Sequence, residues 1–226
     1  MTRKTPFGKQ MRKDKFLFAP SHTPLNHGSF GAYPRAVQEK VTEFQKLAHE
    51  RPDVFIVYDL PKLIDQSRAA VAPLLGVDVD EVVLIPNATT GINTVLRNLQ
   101  FSEDDVIIYF STIYDSCEKT ISSIRELRPL AGVEIPLEYP IEDDVILVRF
   151  METIVRLQGE GKNVKLAMFD TILTFPGARV PWEKLVWACK RFGVLSLIDG
   201  AHGIGHIDLK HLGSVGPDFF VSNCHK

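Results

Sequence analysis

The chain has 226 residues and a formal net charge of −2, from 26 Lys and Arg against 28 Asp and Glu. Hydrophobic residues make up 45% and charged residues 24%, which is typical of globular proteins and excludes a disordered or fibrous chain. The near-neutral charge argues against a nucleic-acid binder, and no apolar run approaches the ~20 residues of a membrane span, so we expect neither partner.

The N-terminal segment is basic. Arg3, Lys4 and four further basic residues precede residue 16, against one Asp. This composition predicts a solvated basic tail over residues 1–20, with a short mitochondrial targeting segment as the alternative.

Three widely spaced cysteines, an odd number, predict free thiols in a reducing compartment. We therefore expect a cytoplasmic protein, and a mitochondrial one as second choice.

A glycine-rich loop and two helices are predicted next. The loop is LNHGSFGAYP, residues 25–34. Apolar residues then recur at helical spacing between Pro34 and Pro52, and again from about Pro61 until Gly76. Residues 21–75 thus form an N-terminal region of loop and helices.

From residue 76 onward, short apolar runs alternate with amphipathic helical segments. Runs without polar alternation indicate strands buried on both faces, and strand–helix alternation indicates parallel pairing. We therefore predict for residues 76–226 an α/β domain with a mostly parallel sheet and helices on both faces. The predicted strands are Val82–Ile85, Val106–Phe110, Val133–Leu137, Val164–Phe169, Val194–Ile198 and Phe219–Ser222. The sequence stops just after the last strand, so a domain truncated at its C-terminus is expected.

Polar and aromatic residues follow several strands, at the edge where open parallel sheets bind ligands. Thr89 and Thr90 lie at a predicted helix N-terminus, which suits either a phosphate or an ordinary helix cap. Tyr114 could stack on a planar ligand or simply pack. Asp199 ends a buried run, where a carboxylate is costly unless it is paired or functional.

The last strand leads directly to His225 and Lys226. A lysine amine, a carboxylate, an aromatic side chain and a phosphate site are together the groups that pyridoxal phosphate requires. The sequence supplies one of each after successive strands. Pyridoxal 5′-phosphate is therefore the predicted cofactor.

Four segments carry a resemblance to a known family: LNHGSFGAYP (25–34), NATTGINTV (87–95), LIDGAHGIGHIDL (197–209) and DFFVSNCHK (218–226). The chain resembles the class V aminotransferase family of pyridoxal-phosphate enzymes. Within it, the chain is similar to the isopenicillin-N-epimerase-like branch, with its fungal hercynylcysteine sulfoxide lyases and loline-pathway aminotransferase-like proteins. The resemblance implies the large domain of a fold-type I enzyme, a small-molecule amino-acid substrate and a homodimer of the full-length protein.

The resemblance also implies roles for individual residues. Lys226 would form the Schiff base, Asp199 would pair with the protonated ring nitrogen, and His202 would lie near the ring hydroxyl. The other cofactor contacts would come from Thr89, Thr90, Ser222 and His225 at the phosphate, Tyr114 over the ring where many relatives carry His, and Thr174 near the ring hydroxyl. The substrate side would be lined by Asn26, His27 and Gly28. The family's small C-terminal domain and substrate-carboxylate arginine would lie downstream of Lys226.

Three other interpretations stay open at this level. Four histidines in the last 25 residues suit a zinc site, together with Cys224, but glycines interrupt the helix that His202 and His206 would need. Gly203 and Gly205 would suit a nucleotide-binding loop, but no helix pattern follows them. The third is a truncated chain without catalytic activity.

The reaction is predicted from the resemblance alone. Similarity to the fungal lyase branch favours elimination at a cysteine-derived C–S bond. Epimerisation and transamination are the alternatives, because the protein decides which bond is aligned and where protons move.

Overall fold

The computed structural model describes residues 5–226, so Arg3 and Lys4 of the basic segment lie outside the described residues. The chain divides into two compact units. One comprises the chain up to Val71 together with His225–Lys226, and the other comprises Ala72–Cys224. The division at residues 20 and 75 that the sequence indicates stays a prediction.

The first unit is helical. The segment predicted as a tail contains a helix, α1 (Lys9–Lys15), none of whose residues is buried. Arg12 ties this helix to the chain that follows, because its guanidinium donates to the carbonyl oxygen of Ala19 at 2.7 Å. The two predicted helices are confirmed. The helical segments are α2 (Arg35–Glu50), α3 (Pro52–Val54), a π-helical turn (Phe55–Asp59) and α4 (Leu60–Leu75), which continues into the second unit.

The second unit is built on a five-stranded sheet with the strand order β2-β1-β3-β4-β5. All neighbouring strands are parallel. The strands are β1 (Asp105–Phe110), β2 (Ala131–Ile135), β3 (Asn163–Asp170), β4 (Leu195–Gly200) and β5 (Phe219–Ser222). The helices are α5 (Ala88–Asn98), α6 (Asp115–Arg125), α7 (Asp143–Gly159), α8 (Trp182–Phe192) and α9 (Leu212–Val215), with a 3₁₀ turn at Val79–Glu81. The predicted α/β class and parallel sheet are confirmed.

Both faces of the sheet are covered, because side chains alternate along each strand. Ile107 and Tyr109 of β1 belong to one buried cluster with residues of α5 and α6. On the opposite face the ring of Phe110 lies 5.9 Å from that of Phe150 in α7. Every residue of β1 is buried, which explains why the strand appears in the sequence as a continuous apolar run.

The predicted strand Val82–Ile85 is wrong. These residues have no regular secondary structure and belong to no sheet within residues 5–226. Val82 is 7% exposed, but the next three side chains are 74%, 45% and 37% exposed. An apolar run becomes a strand only where a neighbouring strand continues the ladder, and sequence periodicity cannot show such a neighbour.

No helix within residues 5–226 combines the length and the apolar character needed to cross a membrane.

Candidate active site

Two buried aspartates lie side by side at the carboxyl ends of β3 and β4. Asp170 and Asp199 are register partners on these neighbouring strands and are only 5% and 4% exposed. Met168 and Leu197, two residues earlier on each strand, belong to the cluster under α5 and α6. By strand alternation, both carboxyl groups therefore face the same helices.

The carboxylate of Asp199 accepts hydrogen bonds at both oxygens. The Ala201 backbone N–H donates to Oδ1 at 2.9 Å, and the Cys117 thiol donates to Oδ2 at 3.6 Å. Cys117 is in the first turn of α6 and is fully buried. Burial first, and then the two nearby aspartates, raise the pKa of this thiol, so it stays a neutral donor. The two donors fix the orientation of the Asp199 carboxylate.

The N-terminus of α5 offers one backbone donor for an anion. Asn87 caps the helix, and its side-chain oxygen accepts from the Thr90 N–H at 2.8 Å and from the Thr90 hydroxyl at 3.1 Å. The Ala88 N–H donates to Oδ1 of Asn223 at 3.2 Å. Within residues 5–226 the Thr89 N–H has no such acceptor. Thr90 thus serves the cap, and Thr89 lies where the helix dipole favours an anion.

A side-chain bridge joins α5 to α6. Asn93 donates through Nδ2 both to the Thr89 carbonyl and to the Thr120 hydroxyl, each at 3.0 Å. Tyr114, the predicted stacking residue, is the N-cap residue of α6 and is 41% exposed. Asn93 thus links the first turn of α5 to the middle of α6 through part-buried polar contacts.

The remaining predicted residues of this unit have diverse surroundings. The Ser222 hydroxyl donates to the Gly200 carbonyl of the neighbouring strand. His202 Nδ1 lies 3.3 Å from the carbonyl oxygen of Ile172. Thr174 is exposed, in the turn beyond β3. The structure does not bury Thr174 with the two aspartates.

Thr171 is a better hydroxyl candidate than Thr174. It is fully buried directly after β3, and its N–H donates to the Asp199 carbonyl at 3.0 Å. Its hydroxyl has no hydrogen-bond partner among residues 5–226. A buried hydroxyl without a partner is costly, so this one is a candidate partner for a polar group of a ligand.

The predicted substrate loop and the predicted lysine segment both belong to the first unit. Asn26 starts a turn by accepting from the Ser29 and Phe30 N–H groups. The His27 ring packs edge-on against Phe16 at 5.8 Å, and Gly28 follows it in the turn. Gly31 of this loop lies against the backbone of His225, next to Lys226.

Several residues of the site were not selected from the sequence, among them Asp170, Thr171, Cys117 and Asn223. Asp170 ends an apolar run as Asp199 does, and the same signal could have found it. Cys117 and Asn223 carry no such signal, because their contacts join segments more than 80 residues apart. Within residues 5–226, no group of three His, Cys, Asp or Glu is placed to hold a metal ion, which leaves the zinc interpretation without structural support.

The Thr89 donor at α5 and the buried carboxylate of Asp199 lie in two of the four segments that carry the sequence resemblance. A sequence model described as "Aminotransferase class-V" matches residues 34–226. The chain belongs to this family. The family assignment predicted from the sequence is confirmed.

Curated relatives include sulfur-metabolising proteins. The chain is 35% identical to the L-cysteine desulfhydrase-like protein lolT1 of Epichloe uncinata, over all of this chain and 49% of that protein. It is 30% identical to the hercynylcysteine sulfoxide lyase of Schizosaccharomyces pombe, over all of this chain and 56% of the relative. The chain therefore spans about half the length of these relatives.

The fold is also that of solved enzymes. A C-DES mutant structure, with glycine covalently linked to the PLP cofactor, superposes with a TM-score of 0.80 at 20% identity, over 91% of this chain and 53% of that one. This likeness confirms the predicted fold. Together with family membership it indicates pyridoxal 5′-phosphate as the cofactor.

The residues present fit this cofactor. Its phosphate is an anion, for which the α5 N-terminus provides the Thr89 N–H. Its pyridine nitrogen suits the buried, oriented carboxylate of Asp199. Its ring hydroxyl is a polar partner of the kind that the buried Thr171 side chain lacks.

Proposed function

We propose that this chain is the cofactor-binding part of a pyridoxal-phosphate enzyme that eliminates a sulfur group from a cysteine-derived amino acid. The observation that carries the proposal is the Asp199 carboxylate. It is buried, it lies near the carboxyl end of β4, and its two oxygens are held by the Ala201 N–H and the Cys117 thiol. A fold gains little stability from such a charge, since burial penalises it. Its retention at a sheet edge supports a ligand-binding role.

Each predicted residue has a separate task in this proposal. Lys226, four residues beyond the end of β5, would bind the cofactor covalently through Nζ and move the proton at the substrate Cα. Asp199 would hold a proton on the ring nitrogen through a charge-assisted hydrogen bond. Tyr114 would orient the ring by stacking, and His202 would donate to or accept from the ring hydroxyl.

The phosphate contacts form a second group. Thr89 would donate its N–H and hydroxyl to the phosphate, while Thr90 supports it through the helix cap. Ser222 and His225 would add hydroxyl and imidazole contacts from the segment around the end of β5. Thr174 is proposed only as a neighbour of the ring hydroxyl, a role for which Thr171 is better buried.

The net reaction balances with water as its second reactant. The Cα–H and Cβ–S bonds break, the sulfur leaves as a thiol or its oxidised equivalent with a proton, and water converts the remaining fragment to pyruvate and ammonia. When bound, pyridoxal phosphate supplies an electron sink for the charge that develops at Cα. Support for sulfur as the leaving group comes from the names of the relatives, a desulfhydrase-like protein and a sulfoxide lyase.

The substrate side would be formed by Asn26, His27 and Gly28. The partners that complete the proposal are a small amino acid and a second copy of the full-length protein, with the cytoplasm as the compartment. Epimerisation, transamination and a chain without activity are the competing outcomes of the test.

The test supplies the native full-length protein with an S-substituted cysteine sulfoxide and, separately, with L-amino acids in deuterated water. We expect pyruvate from the sulfoxide at a rate that depends on added pyridoxal phosphate. Deuterium at Cα with loss of optical purity and no pyruvate would mean epimerisation instead. A keto acid formed only with an amino acceptor would mean transamination. No product at all would favour a chain without catalytic activity.

A further inference from the structure

The carboxyl group of Asp170 has no role in the proposed chemistry, yet Asp170 is only 5% exposed. Asp170 and Asp199 are register partners on neighbouring parallel strands, whose spacing is about 4.8 Å. Both side chains point toward α5 and α6. The two carboxyl groups therefore share one desolvated space.

The two aspartates differ in their hydrogen-bond donors. Asp199 receives the Ala201 N–H and the Cys117 thiol. Among residues 5–226 no hydrogen-bond donor reaches the Asp170 carboxyl group. Donors stabilise the ionised form of a carboxyl group, and two adjacent buried carboxylates cannot both ionise at low cost. The negative charge therefore belongs on Asp199 and the proton on Asp170.

The other groups around Asp170 do not change this assignment. The titratable groups near it include Asp199 from β4, Cys117 from α6 and Tyr139 from the segment before α7, and His202 follows β4 with its ring 3.3 Å from the Ile172 carbonyl oxygen. Burial and nearby acidic groups raise the pKa of the Cys117 thiol and of the Tyr139 hydroxyl, so both stay neutral. Burial, and next the charge of Asp199, raise the pKa of Asp170 well above its usual range.

We propose that Asp170 carries a proton at neutral pH and so leaves Asp199 as the single negative charge of a buried carboxyl pair. The benefit of this single charge for cofactor binding rests on the proposed function, because one localised negative charge matches one protonated ring nitrogen. The protonation state itself does not rest on that function. It is a property of the folded chain without any ligand.

The first experiment measures infrared absorption of the cofactor-free protein labelled with ¹³C-aspartate. A protonated buried carboxyl group gives a C=O stretching band separate from that of carboxylates. We expect this band at neutral pH in the wild type and in Asp199→Asn, and its loss in Asp170→Asn. If the band is absent from the wild type, or survives in Asp170→Asn, the proposal is overturned.

The second experiment measures pyridoxal-phosphate affinity of the full-length protein by equilibrium dialysis. Because Asn replaces a neutral acid by a neutral amide, Asp170→Asn should change the affinity by less than about threefold. A loss of more than about tenfold would mean that the second negative charge had been present and contributed. If the wild type binds no cofactor at all, the proposed function fails, while the infrared result still decides the protonation of Asp170.

Discussion

Gly31 lies directly against the backbone of His225. A Cβ atom at Gly31 would be 1.8 Å from the His225 carbonyl oxygen and 3.0 Å from that of His27. Only a residue without a side chain allows this approach. The glycine-rich loop is therefore fitted to the segment that carries Lys226.

Gly31→Ala should lower stability by about 1–3 kcal/mol, because a backbone carbonyl cannot move away as a flexible side chain would. Limited proteolysis should cut loop 25–34 faster in the variant, and thermal unfolding should begin earlier. Gly28→Ala is the matched control for stability, since no atom lies within 4 Å of its Cβ position. Equal effects of the two variants would mean that the Gly31 contact is unimportant.

Lys226 is expected to be the residue that binds the cofactor covalently. Borohydride reduction of the cofactor-loaded full-length protein, followed by peptide mapping, should place the pyridoxyl group on Lys226. Lys226→Ala should lose the visible absorbance of the covalently bound cofactor. The control Lys210→Ala, at an exposed lysine, should keep it. A pyridoxyl group on another lysine would refute the assignment.

Asp199→Ala should keep covalent cofactor binding and lose most turnover, at least about 100-fold, because a charge-assisted hydrogen bond and the protonated ring nitrogen are lost together. Asp199→Asn preserves the shape but removes the charge, and it should be similarly impaired. Steady-state pyruvate release and absorbance of the bound cofactor measure the two effects separately. Turnover at the wild-type rate would reduce Asp199 to a structural residue.

The three cysteines should differ in reactivity toward iodoacetamide. Burial raises the pKa of the Cys117 and Cys189 thiols, so neither forms the reactive thiolate near neutral pH. Cys224 is exposed. Mass spectrometry of the native protein should find label on Cys224 alone, and on all three after unfolding. Rapid native labelling of Cys117 would contradict the buried hydrogen bond to Asp199.

Asp170 should make stability depend on pH. Its pKa is raised in the folded state, so between the unfolded value of about 4 and the folded value the folded chain binds an extra proton. The stability is fully present below about pH 4 and falls as the pH rises, by at most ~1.4 kcal/mol per unit. Urea unfolding at several pH values should show that the free energy of unfolding decreases less steeply with pH in Asp170→Asn than in the wild type. The exposed Asp208→Asn is the control and should leave the slope unchanged.

Sequence patterns predicted most of the fold because the buried strands are continuous apolar runs. β1 and β3 were found on this basis, and the order of strands and helices indicated the parallel sheet. The same rule failed at Val82–Ile85, where three of four side chains are exposed. Hydrophobicity shows that a segment is apolar, whereas a strand also needs a neighbouring strand with which its backbone can form hydrogen bonds.

The site was predictable only in part, for a related reason. Asp199 is conspicuous because a charge ends an apolar run. Its surroundings depend on the register of β3 against β4 and on the placement of α6, which bring in Asp170 and Cys117. Residue spacing along the chain contains no information on the register of β3 against β4 or on the placement of α6. Thr171 and Thr174 both follow the same strand, and their spacing does not show that Thr171 is buried while Thr174 is exposed.

The Asn93 bridge has a consequence for motion. Through one amide nitrogen it holds the carbonyl of Thr89 and the hydroxyl of Thr120, so the first turn of α5 and the body of α6 share a hydrogen-bond partner. Local opening of either helix breaks a contact of the other, and the two should exchange their amide hydrogens as one cooperative unit. An anion that settles at Thr89 would then slow exchange in the helix that begins after Tyr114, although it touches none of its amides.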